Sequence, residues 1–289
     1  VAAVSGADIT GDVLHLKERR QTGTFSGIPS RPVLVLNRSF SAPVNLHFEQ
    51  VPADLAHIAR HDSDLFSRWQ ALNDLALPSL VEAASKARAG ETVETTAMLA
   101  DTLIAIAGDE SLEPAFRAQA LALPSESDIA RELGSNNDPD AIRTGREAVL
   151  AFIANRGAEV FATLFERHRT QGAFTPDAAS AGQRALRNAA LSYLAVSDGT
   201  PARAAEAFAS ADNMTDLSAA LTVLAHRFPA ATETAEALES FRARFADNAL
   251  VIDKWFAIQS TIPGDGALAR VQALMTSPHF TKSNPNRVR

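Results

Sequence analysis

The alanine content of the chain changes abruptly near residue 50, and this change constrains the fold more than any other feature of the sequence. Residues 1–50 contain 4 alanines, whereas residues 51–289 contain 52. Alanine has the highest helix propensity of all residues, so a long alanine-rich stretch favours helices. The sequence therefore predicts two domains, a β-rich portion at 1–50 and a helical portion at 51–289.

The first portion contains short runs that are typical of β-strands. Residues 13–17, 32–37 and 44–49 alternate or are rich in branched aliphatic side chains, and glycine and proline separate them. In the last run, Val44, Leu46 and Phe48 would share one face. This pattern predicts a β-sandwich, but 50 residues are few for closing its core, so we expect a short and incomplete one.

From residue 52 onward the pattern is helical. Start signals such as Asp138-Pro139 and stop signals such as Gly90 and Gly199 recur along the chain. Helices of this length joined by short turns indicate antiparallel pairs stacked in an irregular α-solenoid, so the predicted fold class is mainly α. We predict helices at residues 52–61, 64–77, 79–88, 92–107, 112–122, 126–133, 139–171 with a break near Gly157, 176–196, 201–210, 214–227, 231–246, 248–261 and 265–276.

The composition also excludes several classes of protein. The absence of cysteine removes disulfides, thiolate nucleophiles and cysteine-bound zinc. A net charge of −7 lacks the basic footprint of a nucleic-acid-binding protein. No apolar run reaches the roughly 18 residues that a membrane-spanning helix needs, and the N-terminus does not look like a secretion signal. We therefore expect no nucleic-acid partner, no membrane partner and a cytoplasmic location.

Catalytic motifs are weak or missing. His57 and His61 share one helix face at the spacing of zinc ligands, but no glutamate lies between them and a third ligand is not evident. A polar helix surface is the favoured interpretation of this pair. The sequence also contains no phosphate-binding loop, no dinucleotide fingerprint and no serine nucleophile elbow. We assign no catalytic residue and no metal ligand to this chain.

Three polar segments have both a structural and a functional interpretation. Arg184, Arg187 and Asn188 share a helix face, which favours a contact between helices over a ligand-binding patch. Asn213 or Thr215 is typical of a helix cap. The polar C-terminal segment is either a frayed tail or a loop whose arginines bind a peptide carboxylate or backbone oxygen.

Six short segments occur in the order found in one enzyme family, and together they span most of the chain. They are Phe40–Val44, Phe66–Trp69, Arg184–Asn188, Asn213–Asp216, Asp253–Phe256 and Ser283–Arg287. With them the chain resembles the C-terminal part of bacterial aminopeptidase N, the zinc-dependent alanyl aminopeptidases of the thermolysin-like superfamily. The resembling part consists of a small Ig-like β-sandwich and an ARM- or HEAT-like helical solenoid.

The resemblance implies a function for a longer parent enzyme, which would release N-terminal amino acids from short peptides. The HExxH motif and the other zinc and catalytic residues would lie in parts of the parent that this chain does not resemble. The chain would therefore be inactive alone and hold no cofactor, while zinc would serve the parent. Its expected partners are the catalytic domain of the same parent chain and, in the parent, short peptides.

The resemblance also implies a position for the helical portion, which would cap the active-site chamber. Asn284, Arg287 and Arg289 would line the substrate channel. Compared with the family, the sandwich lacks strand material near residues 17–22, and the solenoid stops early after the Asn-Pro-Asn-Arg motif. We therefore expect a solenoid that is truncated at its C-terminal end.

Two other interpretations remain open on the sequence alone. A free-standing α-solenoid could bind a protein or peptide on its concave face, and the composition by itself favours this binding module. A lone hydrolase with an unrecognised site is the third possibility. The six ordered segments favour the aminopeptidase fragment over both.

Overall fold

The computed structural model describes residues 3–5, 8–10, 13–44, 46–169, 172–283 and 285–288. Contacts between Cα atoms divide the chain into two compact units, Val1–Phe48 and Glu49–Arg289. The first unit contains the strands and the second contains the long helices.

The N-terminal unit contains short strands joined in two antiparallel pairs. The described strands are β1 (Ala3–Ser5), β2 (Asp8–Thr10), β3 (Val13–His15) and β4 (Thr24–Ser26). Strand β1 pairs with β4, with Val4 opposite Phe25. Strand β2 pairs with β3, with Ile9 opposite Leu14. Each described sheet therefore has two strands, fewer than an independently stable sheet needs.

Two of the predicted strands are wrong. Residues 32–37 and the described part of 44–49 have irregular backbone, and residue 45 of the second run lies outside the described residues. A strand is stabilised by its hydrogen-bonded neighbours, and the described strands pair only with one another. Asn37 instead organises a tight loop, because its side chain accepts a hydrogen bond from the Ala42 amide at 2.8 Å and donates to the Ala42 carbonyl at 3.0 Å.

The second unit is a succession of helices, which confirms the predicted mainly α class. A short 3₁₀ turn occurs in this unit at Gly134–Asn136, and another occurs in the first unit at Arg38–Phe40. The described helices are α1 (Pro52–His61), α2 (Leu65–Ala89), α3 (Ala97–Gly108), α4 (Pro114–Ala120), α5 (Glu126–Leu133), α6 (Pro139–Arg156), α7 (Ala158–Arg167), α8 (Ala178–Asp198), α9 (Ala202–Ser210), α10 (Met214–Arg227), α11 (Thr232–Arg244), α12 (Ala249–Ser260), α13 (Ala267–Met275) and α14 (Pro285–Val288).

Pro78 does not break the chain into two helices, contrary to the prediction of separate helices at 64–77 and 79–88. Helix α2 continues through Pro78 over 25 residues. Proline removes one hydrogen-bond donor from the helix and crowds the preceding turn. The long apolar face of α2, which packs against α1 and α6, outweighs that local cost.

Gly157 separates α6 from α7, as the sequence predicts. Its backbone lies at φ −100° and ψ 10°, outside the helical region, and the two helices bend by 74° at this break.

Among the described residues, no single helix is long and apolar enough to cross a membrane. Helices α6 and α7 meet that length and composition requirement only when they are taken together.

Close helix packing depends on small residues at two crossings. A Cβ atom on Gly145 of α6 would lie 2.5 Å from backbone atoms of Ala83 and Ala84 in α2. A Cβ on Gly182 of α8 would lie 3.0 Å from the Ala115 amide nitrogen in α4. The 2.5 Å distance leaves no room for a side chain. At 3.0 Å the neighbouring helix would have to shift by a few tenths of an ångström, so glycine permits the close approach at both crossings.

Several helices are capped by a side chain from the helix that follows. The Arg68 guanidinium of α2 donates to the Ala59 carbonyl in the last turn of α1, at 2.8 Å. Arg117 of α4 donates in the same way to the Ala107 carbonyl in the last turn of α3, also at 2.8 Å. In α11 the Thr234 hydroxyl donates to the Leu224 carbonyl of α10. The last carbonyls of a helix lack partners within it. The two arginines therefore satisfy otherwise unpaired groups, whereas the Leu224 carbonyl also accepts from the Phe228 amide at 2.9 Å.

Candidate functional site

The C-terminal segment contains the three residues that were predicted to line a substrate channel. Asn284 and Arg289 lie outside the described residues. Arg287 lies in the one-turn helix α14, and its side chain is 13% exposed. Of the three predicted site residues, the structure therefore places Arg287 alone.

The Arg287 guanidinium is held by two groups from different parts of the chain. Its Nε donates to Asp253 Oδ1 of α12 at 2.6 Å, and its Nη1 donates to the His279 carbonyl. The Asp253 side chain is 25% exposed, so the ion pair is largely shielded from water. Charge-assisted hydrogen bonds of this kind are about twice as strong as neutral ones. They fasten the C-terminal segment to α12.

A cleft of about 600 Å³ lies between α12, α13 and the C-terminal segment. Its size is typical of ligand pockets. Apolar side chains dominate the lining, and Asp253, Lys282 and Arg287 are its charged members. The apolar lining residues are Phe256, Ala257, Val271, Leu274, Met275, Phe280 and Val288.

The sequence did not predict Asp253 or the cleft as parts of a functional site. Two of the six recognised segments, Asp253–Phe256 and Ser283–Arg287, meet in this ion pair although they are far apart in sequence. The signal was therefore present in the motif containing Asp253. The pairing itself depends on tertiary structure.

The polar face of α8 is a buried contact between helices and not an exposed patch. Arg184 and Arg187 are 4% and 6% exposed, and the Arg187 guanidinium lies 4.2 Å from the centre of the Phe165 ring. Asn188 Nδ2 donates to Asp216 Oδ1 of α10 at 2.8 Å. Burial lowers the pKa of Arg187, and the nearby Asp216 carboxylate opposes this effect. The inter-helix contact is therefore confirmed for Arg187 and Asn188, and the ligand-patch alternative is wrong for them. Arg184 instead donates to the Thr175 carbonyl, at 2.9 Å, in the loop that precedes α8.

Helix caps account for two further recognised segments. Asn213 caps α10, because its side-chain oxygen accepts a hydrogen bond from the Asp216 amide at 3.0 Å. This settles the choice between Asn213 and Thr215. Asp64 caps α2 by accepting from the amide and the hydroxyl of Ser67. Both caps lie where consecutive helices meet, which is the structural role of these segments.

The residues that the structure describes do not fit a zinc site. They contain no group of three or more histidine, aspartate or glutamate side chains that could hold a metal ion. The rings of His57 and His61 lie 4.9 Å apart between centres on α1. Two histidines without a third protein ligand do not make a catalytic zinc site, which takes three protein ligands.

Comparisons with known proteins match the two parts of the chain to different domain families. Residues 1–49 match a domain of unknown function with an Ig-like fold, DUF3458. The chain is 37% identical to aminopeptidase N of Caulobacter vibrioides over 282 residues, which is 96% of this chain and 32% of the relative. It is 32% identical to aminopeptidase N of Escherichia coli over 287 residues, which is 98% of this chain and again 32% of the relative. The chain thus spans about a third of the length of these curated relatives.

The chain is also similar to a solved structure and to a second domain family. The crystal structure of Legionella pneumophila aminopeptidase A in complex with aspartic acid is similar with a TM-score of 0.81 and 26% identity, over 99% of this chain and 35% of that one. These relatives confirm the resemblance to aminopeptidase N. Residues 52–289 match the domain of unknown function with ARM repeats, DUF3458_C. The chain therefore belongs to the DUF3458_C family of ARM-repeat domains.

Proposed function

We propose that this chain is the non-catalytic C-terminal part of a zinc aminopeptidase that releases N-terminal amino acids from short peptides. The observation that carries the proposal is the 37% identity to aminopeptidase N over 96% of the chain. In this proposal the metal ligands of the enzyme come from a part of the protein outside this chain.

The apolar surface of the N-terminal unit supports a covering partner. Leu16 is 73% exposed, Val13 57% and Phe40 55%, and further apolar side chains of the same unit are exposed. So many exposed apolar side chains in one small unit favour a partner that covers them. We propose the catalytic domain of the same parent chain as the partner that covers them.

In this proposal the solenoid caps the active-site chamber and the C-terminal segment faces the peptide. Asn284, Arg287 and Arg289 would line the substrate channel. Replacing Arg287 and Arg289 together with alanine in the longer protein is expected to raise KM for short peptides and to leave kcat nearly unchanged. Steady-state kinetics on peptides of two to five residues measure this. An unchanged KM for every length would contradict the assignment.

The proposed function is tested by comparing this chain with the longer product of the same gene. Both are purified and assayed with alanine p-nitroanilide and with trialanine, with and without added Zn²⁺. The longer protein is expected to release alanine, and the isolated chain is expected to release none. Alanine release by the isolated chain that a chelator abolishes would contradict the proposal, and so would a longer product that is inactive with zinc.

A further inference from the structure

The cleft between α12, α13 and the C-terminal segment has an uneven charge distribution. Asp253 and Arg287 neutralise each other in their ion pair. Lys282 also lines the cleft, its side chain is exposed, and it has no ion-pair partner among the described residues. The lining therefore carries a net positive charge, in a chain whose overall charge is −7. This local charge favours an anionic ligand over a cationic one.

The orientation of Arg287 suits a ligand carboxylate. The contacts with Asp253 and His279 use its Nε and Nη1 groups. Within the described residues, Nη2 has no acceptor. A guanidinium held at two nitrogens presents its remaining donors in a fixed direction, which lowers the entropic cost of binding an anion.

The rest of the cleft suits an apolar side chain. Phe256 and Phe280 meet edge to face, with ring centres 6.2 Å apart, and join the helix to the C-terminal segment. Leu274 and Met275 of α13 line the same cleft. An apolar floor with a few charged groups at fixed positions is the usual composition of a small-molecule site.

We propose that this cleft binds the C-terminal residue of a short peptide, with its free carboxylate at Arg287 and Lys282 and its apolar side chain against Phe256 and Leu274. Asp253 is then a positioning residue that orients Arg287 without touching the peptide. This proposal rests on the proposed function, which is the reason for choosing a peptide as the source of the carboxylate. It adds Asp253, Lys282 and the apolar floor to the predicted channel residues.

The test measures binding to this 289-residue chain by calorimetry, so it needs no catalytic activity. The two probes are the dipeptide Ala-Phe and its C-terminal amide. Charge-assisted hydrogen bonds to a carboxylate predict at least about tenfold tighter binding of the free acid. Equal affinity for the two probes, or no binding of either, would overturn the proposal.

Two variants test whether binding depends on the orientation of Arg287 or only on the net charge of the cleft. Lys282→Gln is expected to weaken binding of the acid several-fold while binding of the amide stays the same, and this exposed residue can be changed without disturbing the fold. Asp253→Asn is expected to remove most of the preference for the acid, although the positive charge of the cleft increases. A stronger preference in Asp253→Asn would show that net charge alone governs binding and would contradict the positioning role.

Asp198→Asn is the matched control, because Asp198 forms a comparable ion pair with Arg203 at 2.7 Å, outside the cleft. Its binding is expected to equal that of the unmodified chain, and a loss of acid preference in this variant would overturn the assignment to the cleft. The two proposals can fail separately. Selective binding of the acid by a chain whose longer form has no aminopeptidase activity would support the cleft and contradict the proposed function.

Discussion

Replacing Arg117 with methionine is expected to lower the free energy of unfolding by about 3 kcal/mol, because a charged hydrogen bond is lost and a buried acceptor is left unpaired. Arg117 is 4% exposed, and both its Nε and Nη2 donate to the Ala107 carbonyl. Methionine keeps much of the apolar stem of the side chain, so the change tests the cap and not the packing. Urea unfolding followed by circular dichroism measures the effect.

The control for this variant is Arg131→Met. Arg131 pairs with Asp128 on the surface of α5, and its side chain is 78% exposed. Exposed pairs contribute at most about 1 kcal/mol, so little change is expected. Equal effects of the two variants would show that the repeated arginine cap does not stabilise the solenoid.

Replacing Gly145 with alanine is expected to lower the free energy of unfolding by about 2 kcal/mol, the typical cost of overpacking a close contact. At a solvent-exposed helix position the same change would stabilise the protein by up to about 1 kcal/mol, because alanine has a higher helix propensity than glycine. Here the new Cβ would lie 2.5 Å from the backbone of α2, which cannot move aside as a flexible side chain can. The sign of the effect is therefore reversed, and thermal unfolding measures it.

Gly266→Ala serves as the control for the close approach. A Cβ at Gly266 would meet nothing within 4 Å, and the residue lies at φ −76°, which alanine adopts readily. A change within about 0.5 kcal/mol is expected for this open surface position. If Gly145→Ala were stabilising, glycine would not set the separation of α2 and α6.

Local signals made much of the solenoid predictable from the sequence. Asp138 accepts hydrogen bonds from the amides of Asp140 and Ala141 and starts α6 at Pro139, where the sequence placed it. The cap at Asn213 and the break at Gly157 follow from the same local chemistry. Caps and glycines act on neighbouring backbone groups, so a single sequence contains their information.

Features that depend on distant contacts were not predictable. The alternation of residues 44–49 is typical of a strand, but the pairing that would make it one is absent among the described residues. Pro78 is a local helix breaker that packing overrides. The sequence favours an inter-helix contact for Arg187, but only the fold shows that its partner is the Phe165 ring.

The candidate site was also predictable only in part, because it depends on contacts between residues that are distant in sequence. Arg287 was singled out through its motif, whereas its partner Asp253 lies 34 residues earlier and its carbonyl partner His279 carries no signal. The apolar floor consists of residues whose spacing on α12 and α13 is that of ordinary core positions. Tertiary structure alone combines them with Lys282 into a cleft.

The central claim is that this chain works as one part of a larger aminopeptidase. The measurement that tests it most directly is the mass of the native polypeptide in its source cells, found with an antibody against this region. Because the chain spans 32% of its relatives, a mass of about three times 30.7 kDa is expected. A native polypeptide near 30.7 kDa, with no larger species, would contradict the claim and favour a free-standing solenoid.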